Sequence, residues 1–408
     1  MTSSSAPALS PSRLLVAPHR LLFFIGASNV LLAMAWWSAW LAGARWGVPA
    51  TPQPAQPPGW LHAFVMQYQM LPSFIFGFLL TTFPKWTGQP GFERWRYAPV
   101  GIGLFGGQLA TLLGALGWHA GLVVGLWMTM AGWAAGLATL APVLWREAGA
   151  TWHARSCFAA LVLGFAGLLA WAACLLGLAS PAWVMASIKL GTFGLLLPVY
   201  FTVAHRMFPF FAGNAVPGYR PWRPLWLLGA AWPLLLAHLA LELLHAHVWL
   251  WLVDLPLLGL SLAMLVRWWP RGRKQALLTT LFAGFAWLPA SFALYAVQSL
   301  IMLATGEFLL GRAPAHALFV GFFGTLLVAM VTRVTQGHSG RPLMMPGVAL
   351  YAFVAINVAA LVRIVADIVP DTLGWQAASG IAWLLALSPW IARIGRIYLL
   401  PRADGRPG

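Results

Sequence analysis

Residues 314–332 read PAHALFVGFFGTLLVAMVT, a run without aspartate, glutamate, lysine or arginine. A helix needs about 20 largely apolar residues to cross the hydrocarbon core of a bilayer, and this run is long enough. Eleven comparable runs lie at 21–43, 60–83, 97–117, 119–145, 158–178, 181–204, 223–244, 247–266, 276–304, 344–368 and 374–400. The sequence therefore predicts an all-α, polytopic membrane protein with about 12 transmembrane helices.

Basic residues fall almost entirely into every second gap between these runs. Of the 24 Lys and Arg residues, 20 lie in or at the edge of the amino-terminal arm, the even-numbered loops and the carboxyl-terminal tail. The richest groups are Lys85/Arg94/Arg96, Arg206/Arg220/Arg223 and Arg267/Arg271/Arg273/Lys274. Because cytoplasmic loops carry an excess of Lys and Arg, the alternation predicts cytoplasmic N and C termini and an even number of spans.

Composition supports the lipid bilayer as the surroundings of this chain. Hydrophobic residues make up 61% and charged residues 8% of the sequence, far below the roughly 25% charged residues of soluble domains. The net charge of +16 is spread over short loops, so it reflects topology. A nucleic-acid-binding protein would gather its basic residues on one soluble surface, and we expect no nucleic-acid partner.

The chain is organised as one membrane domain. Residues 1–18 are rich in Pro and Ser and are predicted to form a disordered cytoplasmic arm, while 19–400 form the transmembrane domain and 401–408 a cytoplasmic tail. No linker between runs is long enough for a soluble domain. Tight predicted turns on the outer side of both halves suggest a duplicated six-helix unit, although no residue-level repeat accompanies them.

Two histidines are predicted to lie near the outer face on different helices. His62, Met66 and Met70 follow each other at intervals of four, so one helix face carries an imidazole and two thioethers. These donors suit haem iron or copper(I), while the alternative is an interfacial histidine above a stripe of packing methionines. His316 follows Pro314 in the first turn of its helix, at the same depth as His62. A bis-imidazole haem requires this arrangement.

Further histidines and arginines collect near the inner face. His338 lies in a Gly-His-Ser-Gly turn between Arg333 and Arg341, and these arginines are candidates for binding carboxylates such as haem propionates. His19-Arg20 and His205-Arg206 are predicted at the same membrane level. A second metal site is one interpretation of this cluster. Helix capping and topogenic charge are the other.

Charged groups inside the apolar runs are costly, so each indicates a partner or a function. His238, Glu242 and His245 share one helical stripe, which would suit metal ligation, a proton path or a simple hydrogen bond at the membrane boundary. Arg363 and Asp367 are spaced for an intrahelical ion pair. A proton-coupled secondary transporter that uses the Glu242 stripe is therefore an alternative function.

Several stretches of the chain resemble the NnrS family of bacterial inner-membrane proteins. They are HAFVM (62–66) with GFLLTTFPKWTG (77–88), HALFVGFFGT (316–325) with MVTRVTQGHSGRPL (330–343), and, less closely, PHRLLFF (18–24) and PVYFTVAHRMFPFF (198–211). With the twelve-run layout, the resemblance spans nearly the whole chain. It implies a haem- and copper-binding protein of the bacterial inner membrane that is linked to nitric oxide, nitrosative stress and denitrification.

The resemblance also assigns expectations to individual residues. We expect b-type haem, with His62 and His316 as the first candidates for iron ligation and His338 and His205 as the second. Anionic groups would be held by Arg333, Arg341 and Arg20, and the candidate metal ligands are His62, Met66, His316, His338, His205 and His19. Family members often read His-Ala-His-Glu-Met where this chain has His62-Ala63-Phe64-Val65-Met66, so copper binding depends on fewer donors. A redox enzyme acting on a small nitrogen species is a further alternative.

Overall fold

The computed structural model describes residues 8–147, 149, 151–272 and 275–406. Twelve helices of this part are long and apolar enough to cross a membrane, and we number them α1 to α12: Pro18–Trp46, Pro58–Thr87, Arg94–Ala115, Ala120–Trp145, Trp152–Leu175, Ala182–Ala215, Trp226–Leu243, Trp251–Trp268, Ala276–Thr305, Ala313–His338, Gly347–Val365 and Thr372–Leu399. The described residues contain no strand. The predicted all-α fold with 12 membrane-spanning helices is confirmed.

The two ends of the described chain lie together on one face, as an even number of spans requires. A short 3-10 helix, Pro11–Val16, precedes α1, and the amide of Ser10 donates to the carbonyl of Leu399 at 3.0 Å. This part of the predicted arm is folded against α12, while residues 1–7 lie outside the described residues, as do Arg273, Lys274 and residues 407–408. We call the face of the termini the inner face and the opposite face the outer face.

Three spans contain a π-helical segment, and each is the second of four consecutive spans. The segments are Val65–Met70 in α2, Leu190–Leu196 in α6 and Ala317–Gly324 in α10. A π turn inserts an extra residue into an α-helix and occurs frequently at functional sites. These three segments therefore mark corresponding positions in three groups of four helices.

Packing between helices follows the same period. Helix α4 packs on α5, α8 packs on α9 and α12 packs on α1, so the three groups close into a ring. Helices α2, α6 and α10 form the interior of the bundle. Their most apolar stretches are 83%, 67% and 83% buried, whereas the corresponding stretch is at most 61% buried in any other span. A repeat of four spans organises this fold, where the sequence suggested a duplication of six.

Glycines allow helices α3 and α4 to cross at close range. At Gly103 of α3, a Cβ atom would lie 2.5 Å from the Cα of Gly132 on α4. The backbones of α3 and α4 therefore approach to a distance that only glycine permits at this crossing. This close contact is the usual way in which helices associate in a bilayer, where no hydrophobic effect drives them together.

Candidate functional site

The outer histidine pair consists of His62 on α2 and His316 on α10. His316 immediately precedes the π segment of its helix, and His62 lies three residues before the π segment of α2. Both side chains are half-buried. The imidazole of His62 stacks on the indole of Trp37 from α1, with ring centroids 4.3 Å apart and an angle of 12° between the planes. The buried inner helices thus present both imidazoles at the outer ends of their π segments.

The tautomer of His316 is set by its main-chain neighbour. Its Nδ1 atom lies 3.0 Å from the carbonyl oxygen of Arg312. Because a carbonyl only accepts, Nδ1 carries the hydrogen and Nε2 keeps its lone pair. A histidine that donates one ring nitrogen to a carbonyl and ligates with the other is the common arrangement in metal proteins. His316 is therefore in the tautomer in which Nε2 can bind a metal ion.

Two guanidinium groups lie within electrostatic range of this pair. His62 and His316 interact electrostatically with each other, and both interact with Arg312 and Arg363. The predicted ion pair between Arg363 and Asp367 is confirmed, with Nη1 2.8 Å from Oδ2. Nothing in the spacing of the sequence connects Arg312 or Arg363 with the histidines. The signal available for Arg363 was a guanidinium inside an apolar run, which is rare in a membrane span.

Met66 lies one turn beyond His62, within the π segment of α2. Its side chain is half-buried and packs against the apolar core. Met70, on the same predicted stripe, is fully buried in that core. The structure thus gives Met70 a packing role and leaves Met66 closer to the histidine level.

The inner histidine pair, His19 on α1 and His338 on α10, has its rings in direct contact. Their centroids are 4.3 Å apart, with an angle of 41° between the planes. Haem iron between two imidazoles would need a metal–nitrogen bond of roughly 2 Å on each side. Rings in contact leave no room for a porphyrin between them. The Nδ1 atom of His19 is buried without a hydrogen-bond partner, and this donor set fits a single metal ion better.

His205 does not join the inner pair. Its Nε2 donates to the carbonyl of Pro224 at 3.1 Å, and its Nδ1 lies 2.8 Å from Nε2 of His153. Both ring nitrogens of His205 are therefore engaged in a hydrogen-bond chain. His153, on α5, was not a candidate in the sequence analysis. Among the described residues, no group of three or more His, Cys, Asp or Glu side chains is placed to hold a metal ion.

The inner-face arginines have different surroundings. Arg333 is buried with its guanidinium 4.0 Å from the ring centroid of Phe211, and its Nη1 has no hydrogen-bond partner. Arg341 is half-buried, and burial lowers its pKa below the ordinary value. Arg20 donates from Nη1 to the carbonyls of Tyr398 and Leu400 at 3.0 and 2.9 Å. Arg20 thereby fastens the end of α12 to α1, and all three arginines lie at the opposite face from the outer histidine pair.

The predicted Glu242 stripe belongs to a network of buried charges near the outer face. His238 on α7 lies with Nδ1 2.7 Å from the carboxylate of Asp254 on α8. Glu242 pairs with Lys189 on α6 at 2.8 Å. His245 takes no part in these ion pairs. Asp254 and Lys189 were not predicted to join this network, although each is a lone charge inside an apolar run.

Comparison with known proteins matches nearly the whole chain to one family. Among curated protein sequences no match is found. The model of the family described as NnrS protein matches residues 13–402, which include all 12 spans and both histidine pairs. The chain therefore belongs to the NnrS family.

Proposed function

We propose that this chain is a haem-binding protein of the bacterial inner membrane that acts in the response to nitric oxide and nitrosative stress that accompanies denitrification. A b-type haem is held near the outer face by His62 and His316. The observation that carries this proposal is the outer histidine pair itself. Two imidazoles on different buried spans share one membrane level, and His316 keeps its Nε2 lone pair available for a metal.

The residues around the outer pair fit a haem. Imidazole is a common axial ligand of haem iron. Arg363 interacts electrostatically with both imidazoles, so a propionate group would meet a cation on this side. Trp37, stacked on His62, fixes the orientation of that ring. When bound, haem iron would supply one-electron redox chemistry, and a diatomic ligand such as nitric oxide or a derivative would bind by replacing one of the two imidazoles.

Copper is proposed at the inner pair. His19 and His338 supply two adjacent imidazoles, and the orphaned Nδ1 of His19 gives a buried donor without another function. Imidazole suits copper in either oxidation state. Met66 is half-buried near the level of His62, and its thioether is a donor suited to copper(I) at the outer face.

The orientation in the membrane is part of the proposal. The termini are cytoplasmic, because the loops on their side carry most of the Lys and Arg residues. A phosphatase reporter fused to the carboxyl terminus should be inactive, and a cytoplasmically active reporter at the same point should be active. The reverse pattern would invert the membrane orientation and place the outer histidine pair on the cytoplasmic side.

Haem binding is tested with the purified full-length protein after expression with adequate haem supply. We expect a Soret band and a pyridine haemochrome spectrum of b-type haem, with metal analysis showing iron and copper. A protein that is folded and free of haem under these conditions would contradict the proposal.

A further inference from the structure

An open cavity of about 540 Å³ lies near the outer face, between the starts of α6 and α10 and the α7–α8 hairpin. Its size is within the roughly 300–1,000 Å³ of small-molecule sites. Its charged and aromatic walls include Lys189, Glu242, Arg312, Trp183, Tyr295 and Phe308. The cavity therefore combines ionic groups with flat apolar surfaces, as a site for an organic ion would.

The carboxylates of this region already have partners. Asp254 is buried 2.7 Å from His238, and neither residue lines the cavity. The Oε2 atom of Glu242 forms an ion pair with Nζ of Lys189 at 2.8 Å, and the same oxygen lies 3.3 Å from Nδ1 of His247. Burial lowers the pKa of His247, so this imidazole is neutral at pH 7.

One cation in the cavity wall is left without a counter-ion. Arg312 forms no ion pair within 4.0 Å among the described residues. The other cations near the outer face form ion pairs: Arg45 pairs with Asp371, Lys189 with Glu242 and Arg363 with Asp367. The net charge of the cavity wall is therefore positive, which favours an anionic ligand over a cationic one.

The backbone of the wall is also unusual. His245 has a φ angle of 54°, the only positive φ of a non-glycine residue among the described residues. This conformation turns the hairpin between α7 and α8 so that His245 and His247 both line the cavity. Strained backbone of this kind concentrates at functional sites.

We propose that this outer cavity binds a small organic anion, a carboxylate with an aromatic or otherwise apolar body. Arg312 binds the carboxylate, since a guanidinium matches its geometry with two parallel hydrogen bonds. Trp183, Tyr295 and Phe308 cover the body of the ligand. Glu242 is a positioning residue, because it lies beside Lys189 and His247 at the wall, and Nε2 of His238 lies 3.7 Å from its other oxygen.

The test is equilibrium dialysis of radiolabelled benzoate against the purified full-length protein. We expect saturable binding of one benzoate per chain, without competition by benzylamine. In Arg312→Gln the affinity for benzoate should fall by about tenfold or more. Arg312→Lys keeps the charge and should lose less. Arg45→Gln is the matched control, because it removes an outer-face arginine that lies outside the cavity wall.

A second variant tests whether benzoate occupies the interior of the cavity. Ala186→Trp places an indole in the cavity wall and should abolish benzoate binding while the haem spectrum stays as in the unmodified protein. Three results would overturn the proposal: no saturable benzoate binding, equal affinity in Arg312→Gln, or competition by benzylamine as strong as by benzoate. Because the experiment measures benzoate binding, its result does not depend on whether haem binds at the outer histidine pair.

Discussion

Replacing either member of the buried pair Asp254–His238 should destabilise the protein strongly. Both side chains are fully buried, and Nδ1 of His238 lies 2.7 Å from Oδ1 of Asp254. Removing one partner leaves the other polar group buried without compensation, which typically costs about 3–5 kcal/mol. Asp254→Leu and His238→Leu are each expected to lose this amount, since each variant removes the 2.7 Å partner of the group that remains buried.

The double variant Asp254→Leu/His238→Leu distinguishes charge compensation from packing. An apolar pair of similar volume is often neutral, so the double variant should lie within about 1 kcal/mol of the unmodified protein. The assay is reversible unfolding in mixed micelles with increasing denaturing detergent, read as a double-mutant cycle. Ser261→Ala on α8 is the control, because Ser261 is equally buried but bonds only within its own helix. Single variants that cost under about 1 kcal/mol, or a double variant that costs their sum, would refute this reasoning.

Three further predictions concern packing, pH and topology. Gly103→Ala should destabilise the protein by about 1–3 kcal/mol in the same assay, because the added Cβ meets the backbone of Gly132, while Gly259→Ala, with open space around it, should change little. Burial lowers the pKa of His247 in the folded protein below its ordinary value of 6.5, so the unfolded chain takes up protons first as the pH falls. Thermal stability should therefore drop as the pH falls below about 6.5, and less so in His247→Gln; an unchanged slope would exclude His247 as a contributor. A reporter fused in the loop after α1 should be active on the periplasmic side, and cytoplasmic activity there would contradict the orientation inferred from the basic loops.

Much of the fold could be predicted because membrane insertion acts on local sequence. Each of the 12 spans needs its own apolar run, and each cytoplasmic loop needs its own basic residues. The position of His316 was equally local, since Pro314 marks the beginning of its helix. The level of both outer histidines followed from their places at the starts of two spans.

The features missed depend on contacts between distant helices. A π turn leaves the apolar content of a span unchanged, so nothing in the runs indicated the three segments or the repeat of four spans. Hydropathy predicted that His205 and His338 share a membrane level, but not that His205 contacts His153 while His338 contacts His19. Only the packing of α5 on α6 brings His153 to His205, and only the packing of α7 on α8 brings Asp254 to His238.

Haem ligation by the outer histidine pair is tested most directly by absorption spectra of single-histidine variants of the purified protein. His62→Ala and His316→Ala should each lose or shift the Soret band, because each removes one of the two imidazoles at the outer ends of the π segments. His119→Ala and His153→Ala serve as controls and should keep the spectrum of the unmodified protein. Normal spectra in both outer variants, with loss of the band in His338→Ala or His205→Ala, would contradict the assignment and move the haem to the inner face.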